Sequence, residues 1–173
     1  MNSKVIILIG MMGSGKSTIG KILSKDLNID FLDSDEIIER LEKQKITNII
    51  NSKGEEAFRE LETKILKDLN NFLINPKDFV LATGGGMVLR EENRNILKNL
   101  GKVFWLDLSA EKIFENLSEA NDRPLLGDKE NRLNTIKSLC KIRQEFYEAC
   151  SDFKINVEDM NHSRIIHEII NKL

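Results

Sequence analysis

The chain has 173 residues, 40% of them hydrophobic, which suits one domain with a sizeable core. Its net charge is −2, with 26 basic and 28 acidic residues spread along its length, so nothing favours a nucleic-acid partner. No apolar run approaches the roughly 20 residues that span a bilayer. A strand begins almost at once where a signal peptide would lie, so the expected location is the cytoplasm, with no membrane partner.

Val5–Ile9 is an apolar run that reads as a buried strand. It leads into Gly10-Met11-Met12-Gly13-Ser14-Gly15-Lys16-Ser17, the spacing of a phosphate-binding loop, and Lys16–Leu27 reads as the helix that should follow. Gly10, Gly13 and Gly15 allow backbone conformations that a Cβ forbids. The loop N–H groups can then turn inward on an anion. Lys16 adds positive charge for the β- and γ-phosphates, and Ser17 offers a hydroxyl to Mg²⁺. A chance glycine-rich turn would have no reason to sit between a strand and a helix.

Ile29–Leu32 is a short second strand, followed by Asp33-Ser34-Asp35 and a helical pattern over Ser34–Lys43. In an extended chain residues i and i+2 share a side. The two carboxylates are therefore expected to project together from the C-terminal sheet edge, where open α/β folds bind ligands. An acidic pair suits both a metal and the acceptance of a hydroxyl proton. Equally, one or both could cap the helix.

Gly54–Leu73 carries Phe58, Leu61, Ile65, Leu69 and Phe72 at helical steps, a core-facing stripe. Arg59 on this helix, between Glu55 and Glu62, reads by position alone as part of a surface ion-pair face worth tenths of a kcal/mol. Phe79–Ala82 is a third strand, and Thr83 and Gly84-Gly85-Gly86 follow it. Three consecutive glycines are entropically costly. Close backbone approach to a ligand explains them better than a tight turn does.

Glu91–Leu100 reads as a helix, Val103–Leu106 as a strand with Asp107 at its end, and Ala110–Leu117 as another helix. Ser118–Lys129 is polar and patternless: a plain surface loop or, beside a phosphate site, a lid. It contains Arg123. Glu130–Ala149 reads as a long helix bearing Arg143, and Phe153–Val157 and Ser163–Leu173 as a last strand and helix. If one helix carries both Cys140 and Cys150, they lie roughly 15 Å apart, beyond the roughly 7 Å Cα limit for a disulfide. His162 and His167 suit structural or surface roles. Strands that are apolar throughout and alternate with helices argue for an α/β fold with a parallel sheet covered on both faces. Arg59, Arg123 and Arg143 together would suit a small anionic substrate, because Arg grips carboxylates bidentately.

In combination these residues closely resemble the shikimate kinase family. The match runs in order through Gly-Met-Met-Gly-Ser-Gly-Lys-Ser-Thr-Ile-Gly at 10–20, Asp-Ser-Asp at 33–35 and Gly-Glu-Glu-Ala-Phe-Arg-Glu-Leu-Glu at 54–62. It continues through Thr-Gly-Gly-Gly at 83–86, Arg-Pro-Leu-Leu at 123–126 and Arg-x-x-x-Tyr at 143–147. The resemblance implies a three-layer P-loop kinase fold over 1–173, a five-stranded parallel sheet of order 2-3-1-4-5 flanked by helices. It also implies a substrate-binding region at about 34–62 and a lid at about 118–129.

The activity it implies is transfer of the γ-phosphoryl group of ATP to the 3-hydroxyl of shikimate, with ATP and Mg²⁺ required. A monomer is expected because one domain of this size can bury its own core. Gly13, Ser14, Gly15, Lys16, Ser17 and Thr18 would bind the nucleotide phosphates, and Ser17 and Asp33 would serve the metal. Asp35 would bind the ring hydroxyls and act as base. Arg59 and Arg143 would hold the shikimate carboxylate beside Gly84, Gly85 and Gly86. Lys16 and Arg123 would neutralise the transferring phosphate. Thr83 stands where a second metal-binding aspartate would end the third strand, so the family's metal site leans on the acidic pair. The adenine pocket would lie near Asn116 and Asp159–Asn161. Two other readings are a different small-metabolite kinase of the same fold, such as a gluconate kinase, and a nucleotide-dependent switch module without an acceptor.

Overall fold

The computed structural model describes residues 4–71, 78–117 and 131–173. Its elements are β1 (Val5–Ile9), α1 (Lys16–Leu27), β2 (Asp30–Asp33), α2 (Ser34–Glu42), α3 (Ile46–Asn71), β3 (Phe79–Ala82) and α4 (Glu91–Leu100). β4 (Lys102–Asp107), α5 (Ala110–Asn116), α6 (Arg132–Cys150), β5 (Phe153–Asn156) and α7 (His162–Ile170) complete them. A 3₁₀ turn, Met87–Leu89, joins the glycine triplet to α4.

The strands form one parallel sheet of order β2-β3-β1-β4-β5. β1 is central and buried along its whole length, which is why it reads as an unbroken apolar run. Its side chains alternate between two cores. Val5, Ile7 and Ile9 face Leu66, Leu97, Ile136 and Tyr147 from α3, α4 and α6. Ile6 and Leu8 face Ile19 and Leu23 of α1 and Ile165, Ile166 and Ile169 of α7. The three layers expected from the resemblance are therefore present. Lys16, Asp33 and Thr83 all lie at the C-terminal ends of neighbouring strands or just beyond them.

α3 departs from the sequence expectation. It starts at Ile46 and continues across a kink at Gly54, whose φ of 88° lies in the left-handed region. The segment before the kink is short and mostly polar, too short to form a helix by propensity. It is held because fully buried Ile49 packs with Ile38, Phe58 and Ile65 in a small third core between α2 and α3. Phe58 and Ile65 of the expected stripe are buried, while Phe72 and Leu73 lie outside the described residues. Cys140 and Cys150 are free thiols, and burial pushes the Cys150 pKa up to about 11. Asp107 ends β4, as expected, and pairs with Lys154 at 3.1 Å. No helix among the described residues is long and apolar enough to cross a membrane.

Candidate active site

The loop between β1 and α1 has the backbone its sequence demands. Gly10, Gly13 and Gly15 all have φ between 79° and 144°. A Cβ on Gly10 would also lie 2.6 Å from the Leu106 carbonyl oxygen, so this position is closed twice to larger residues. Gly15 starts α1 with no side-chain cap, which leaves the positive end of the helix facing the loop. The buried Lys16 ammonium is folded into the loop, donating to the carbonyl oxygens of Gly10 at 2.9 Å and Met11 at 2.8 Å.

The acidic pair is built differently from the expectation. β2 ends at Asp33, and Asp35 already belongs to the first turn of α2, so the i and i+2 rule for strands does not apply. The carboxylates diverge. Asp33 caps α2, its Oδ1 accepting from the N–H of Asp35 at 3.0 Å, while its Oδ2 accepts from the Ser17 hydroxyl at 2.6 Å. Capping and a place at the phosphate loop are thus combined in one side chain. Asp35 turns the other way, toward Gly84.

The glycine triplet owes its composition to space, since none of the three has a positive φ. A Cβ on Gly84 would sit 2.7 Å from Asp35 Oδ1 and 2.9 Å from Glu62 Oε1. One on Gly85 would sit 3.1 Å from the Met12 nitrogen and 3.6 Å from Arg143 Nη1, and one on Gly86 only 2.4 Å from Arg59 Nη1. The triplet is therefore the floor on which Asp35, Glu62, Arg143 and Arg59 converge. Ser34 pins it, accepting from the Gly84 N–H at 2.9 Å, and the Tyr147 hydroxyl donates to the Gly85 carbonyl at 2.6 Å.

Arg59 is not on a surface face. Only 6% exposed, it donates through Nη1 to fully buried Glu62 at 2.7 Å and through Nη2 to Glu55 at 2.8 Å. Burial pushes the Glu62 carboxyl up to about 7, against the pull of Arg59. Burial alone would lower the Arg59 pKa, but its bonds to Glu62 and Glu55 outweigh that and raise it, so the cation persists. Arg143 is 3% exposed, with Nη1 3.8 Å from the Met11 sulfur, and it forms no ion pair among the described residues. Tyr147, four residues on, is buried against Trp105, and burial raises its phenol pKa, with Arg143 opposing.

Position-by-position reading missed Glu62, Ser34 and Tyr147. Each had a local signal: Glu62 is one helical turn from Arg59, Ser34 lies inside the acidic motif, and Tyr147 is one turn from Arg143. Thr83, where an aspartate would be a metal ligand, donates its hydroxyl to the Leu8 carbonyl at 3.1 Å. Arg123 and the lid expected at 118–129 lie outside the described residues.

A phosphate loop at the C-terminal sheet edge, an adjacent acidic cap and two buried arginines over a glycine floor define a small-molecule kinase of the P-loop class. Comparison with known proteins narrows the class. The family model for shikimate kinase matches residues 12–173. A shikimate kinase from Dictyoglomus turgidum is 45% identical over 168 residues, covering 95% of this chain and 94% of its own. One from a Sulfurihydrogenibium species is 40% identical over 170 residues, covering 98% of both chains. Among solved structures, shikimate kinase from Acinetobacter baumannii in complex with shikimate superposes with a TM-score of 0.91 at 34% identity, over 98% of this chain and 92% of its own. The chain belongs to the shikimate kinase family and is an ATP-dependent phosphotransferase. A sugar kinase from a Janibacter species shares only the fold, at 15% identity and a TM-score of 0.61. The gluconate-kinase-like and switch-module readings give way to this family assignment.

Proposed function

We propose that this chain phosphorylates the 3-hydroxyl of shikimate, giving shikimate 3-phosphate and ADP, with the site residues dividing the work as follows. Gly13, Ser14, Gly15, Lys16, Ser17 and Thr18 receive the nucleotide phosphates. Arg59 and Arg143 grip the shikimate carboxylate against Gly84, Gly85 and Gly86. Asp35 orients the acceptor hydroxyl and takes its proton. The observation that carries this reading is the pair of buried guanidiniums at Gly85 and Gly86. Arg59 is bonded to two carboxylates, whereas Arg143 makes no ion pair within 4.0 Å among the described residues and feels Glu62 only at longer range. A buried cation needs a counter-charge, and a substrate carboxylate supplies it bidentately.

Phosphoryl transfer depends on positioning and charge neutralisation more than on a strong base. Asp35 holds the acceptor in line. Lys16, and Arg123 by the family resemblance, offset the charge that develops on the transferring group. Closure of the lid implied at 118–129 would exclude water, the competing acceptor. The adjacent oxygens of Ser17 and Asp33 fit magnesium, which takes few protein oxygens and keeps waters and substrate phosphates as its other ligands. When bound there, magnesium supplies further charge neutralisation. We further read 1–173 as one monomeric, cytoplasmic kinase domain with its acceptor region at about 34–62.

The test is ADP release from Mg·ATP with shikimate, with gluconate and with neither. Stimulation by shikimate alone is expected. Stimulation by gluconate would point to the other acceptor, and slow hydrolysis indifferent to both would reject the kinase assignment of the site.

A further inference from the structure

The end of α5 meets the phosphate loop at one residue from two directions. The Asn116 carboxamide nitrogen donates to the Gly13 carbonyl oxygen at 2.9 Å. The side chain of Leu117 lies against the same glycine, its Cγ 3.1 Å from where a Gly13 Cβ would be. Leu117 is buried, and its own carbonyl accepts from Nη1 of buried Arg132 at 3.2 Å, so the end of α5 is tied to the start of α6. The contact on Gly13 thus comes from an anchored element.

Gly13 has a φ of 79°. Its carbonyl and the N–H of Ser14 belong to one planar peptide unit and move together. That unit is held on both sides, since the Ser14 N–H donates to the Met11 carbonyl at 3.2 Å. Without the Asn116 bond, the turn bond and the Leu117 contact alone among the described contacts would resist its rotation. Any rotation there redirects the N–H groups that form the anion-binding concavity.

We propose that Asn116 is a positioning residue for the phosphate loop: its carboxamide fixes the Gly13–Ser14 peptide and thereby the N–H groups that receive the triphosphate. This rests on the reading of Gly10–Ser17 as the nucleotide-phosphate site. It differs from a contact between Asn116 and the adenine base, and a ligand without a base separates the two.

Binding of ADP and of inorganic tripolyphosphate is measured by calorimetry on wild type, Asn116→Ala and Asn116→Asp, together with KM for ATP and for shikimate. Asn116 is exposed, so both variants are expected to fold, and thermal midpoints check this. Asn116→Ala should weaken ADP and tripolyphosphate alike by about three- to tenfold, the effect of one hydrogen bond. KM for ATP should rise while KM for shikimate stays unchanged. Asn116→Asp, which loses the donor and adds negative charge beside the phosphates, should weaken both ligands further. Weakened ADP with unaltered tripolyphosphate would overturn the proposal in favour of a base contact. Unaltered binding of both, or an equal rise in both KM values, would also overturn it. A wild-type chain that bound neither ligand would reject the phosphate-loop reading itself, a failure distinct from any seen only in the variants.

Discussion

Gly86 lies so close under Arg59 that a Cβ there would come within 2.4 Å of the guanidinium Nη1. The absent side chain at 86 is what lets the buried cation lie flat against the backbone after β3. Gly86→Ala would force that guanidinium away from its place between Glu62 and Glu55. The expected result is a rise in shikimate KM of about tenfold, within the ~1–3 kcal/mol cost of overpacking, with KM for ATP unchanged. Steady-state kinetics with each substrate varied in turn checks it, and an unaltered shikimate KM would remove Arg59 from the acceptor site.

Asp35 faces Gly84 and shares that corner with Glu62. Asp35→Asn keeps the size and loses the charge. It should lower kcat by about 10²–10⁴-fold, the usual contribution of a positioned base. A near-normal kcat in single-turnover and steady-state assays would reject the role.

Arg143 is buried and makes no ion pair within 4.0 Å among the described residues. Arg143→Ala should weaken shikimate binding by about 2–5 kcal/mol, as for a desolvated ion pair that loses one member. Calorimetry with shikimate measures this directly, and an unchanged dissociation constant would place Arg143 outside the site.

Glu62 has a carboxyl pushed by burial from 4.5 to about 7. A raised folded-state value means the native protein holds a proton that the unfolded chain has released. The contribution to stability is therefore complete below about pH 4.5 and is lost as pH rises toward 7 and beyond. Glu62→Gln removes this titration. The difference in unfolding free energy, wild type minus variant, should fall across that window in urea titrations at stepped pH. A flat or rising difference would show that the Arg59 partnership overrides burial.

The chemistry of the donor side was legible from a short stretch of chain. Gly10–Ser17 is a local motif, its glycines are demanded by backbone angles, and its strand and helix adjoin it in sequence. The buried strands were equally legible, because a central parallel strand such as Val5–Ile9 is apolar at every position. The acceptor side was legible as a set of residues but not as an arrangement. Sequence could name Asp35, Arg59, Gly84–Gly86 and Arg143, and the resemblance could connect them. Sequence alone could not tell that Asp33 and Asp35 part ways at a strand-to-helix turn, or that Arg59 pairs with a fully buried Glu62. Nor could it tell that the glycines make room for side chains from α2, α3 and α6.

The division has a physical cause. Backbone conformation and apolar periodicity act over a few residues, so the chain itself specifies the phosphate loop and the strands. Burial of a charge, and the close approach that forbids a Cβ, depend on elements tens of residues apart being packed against one sheet edge. Those were decided only when the tertiary structure brought α2, α3 and α6 over the end of β3.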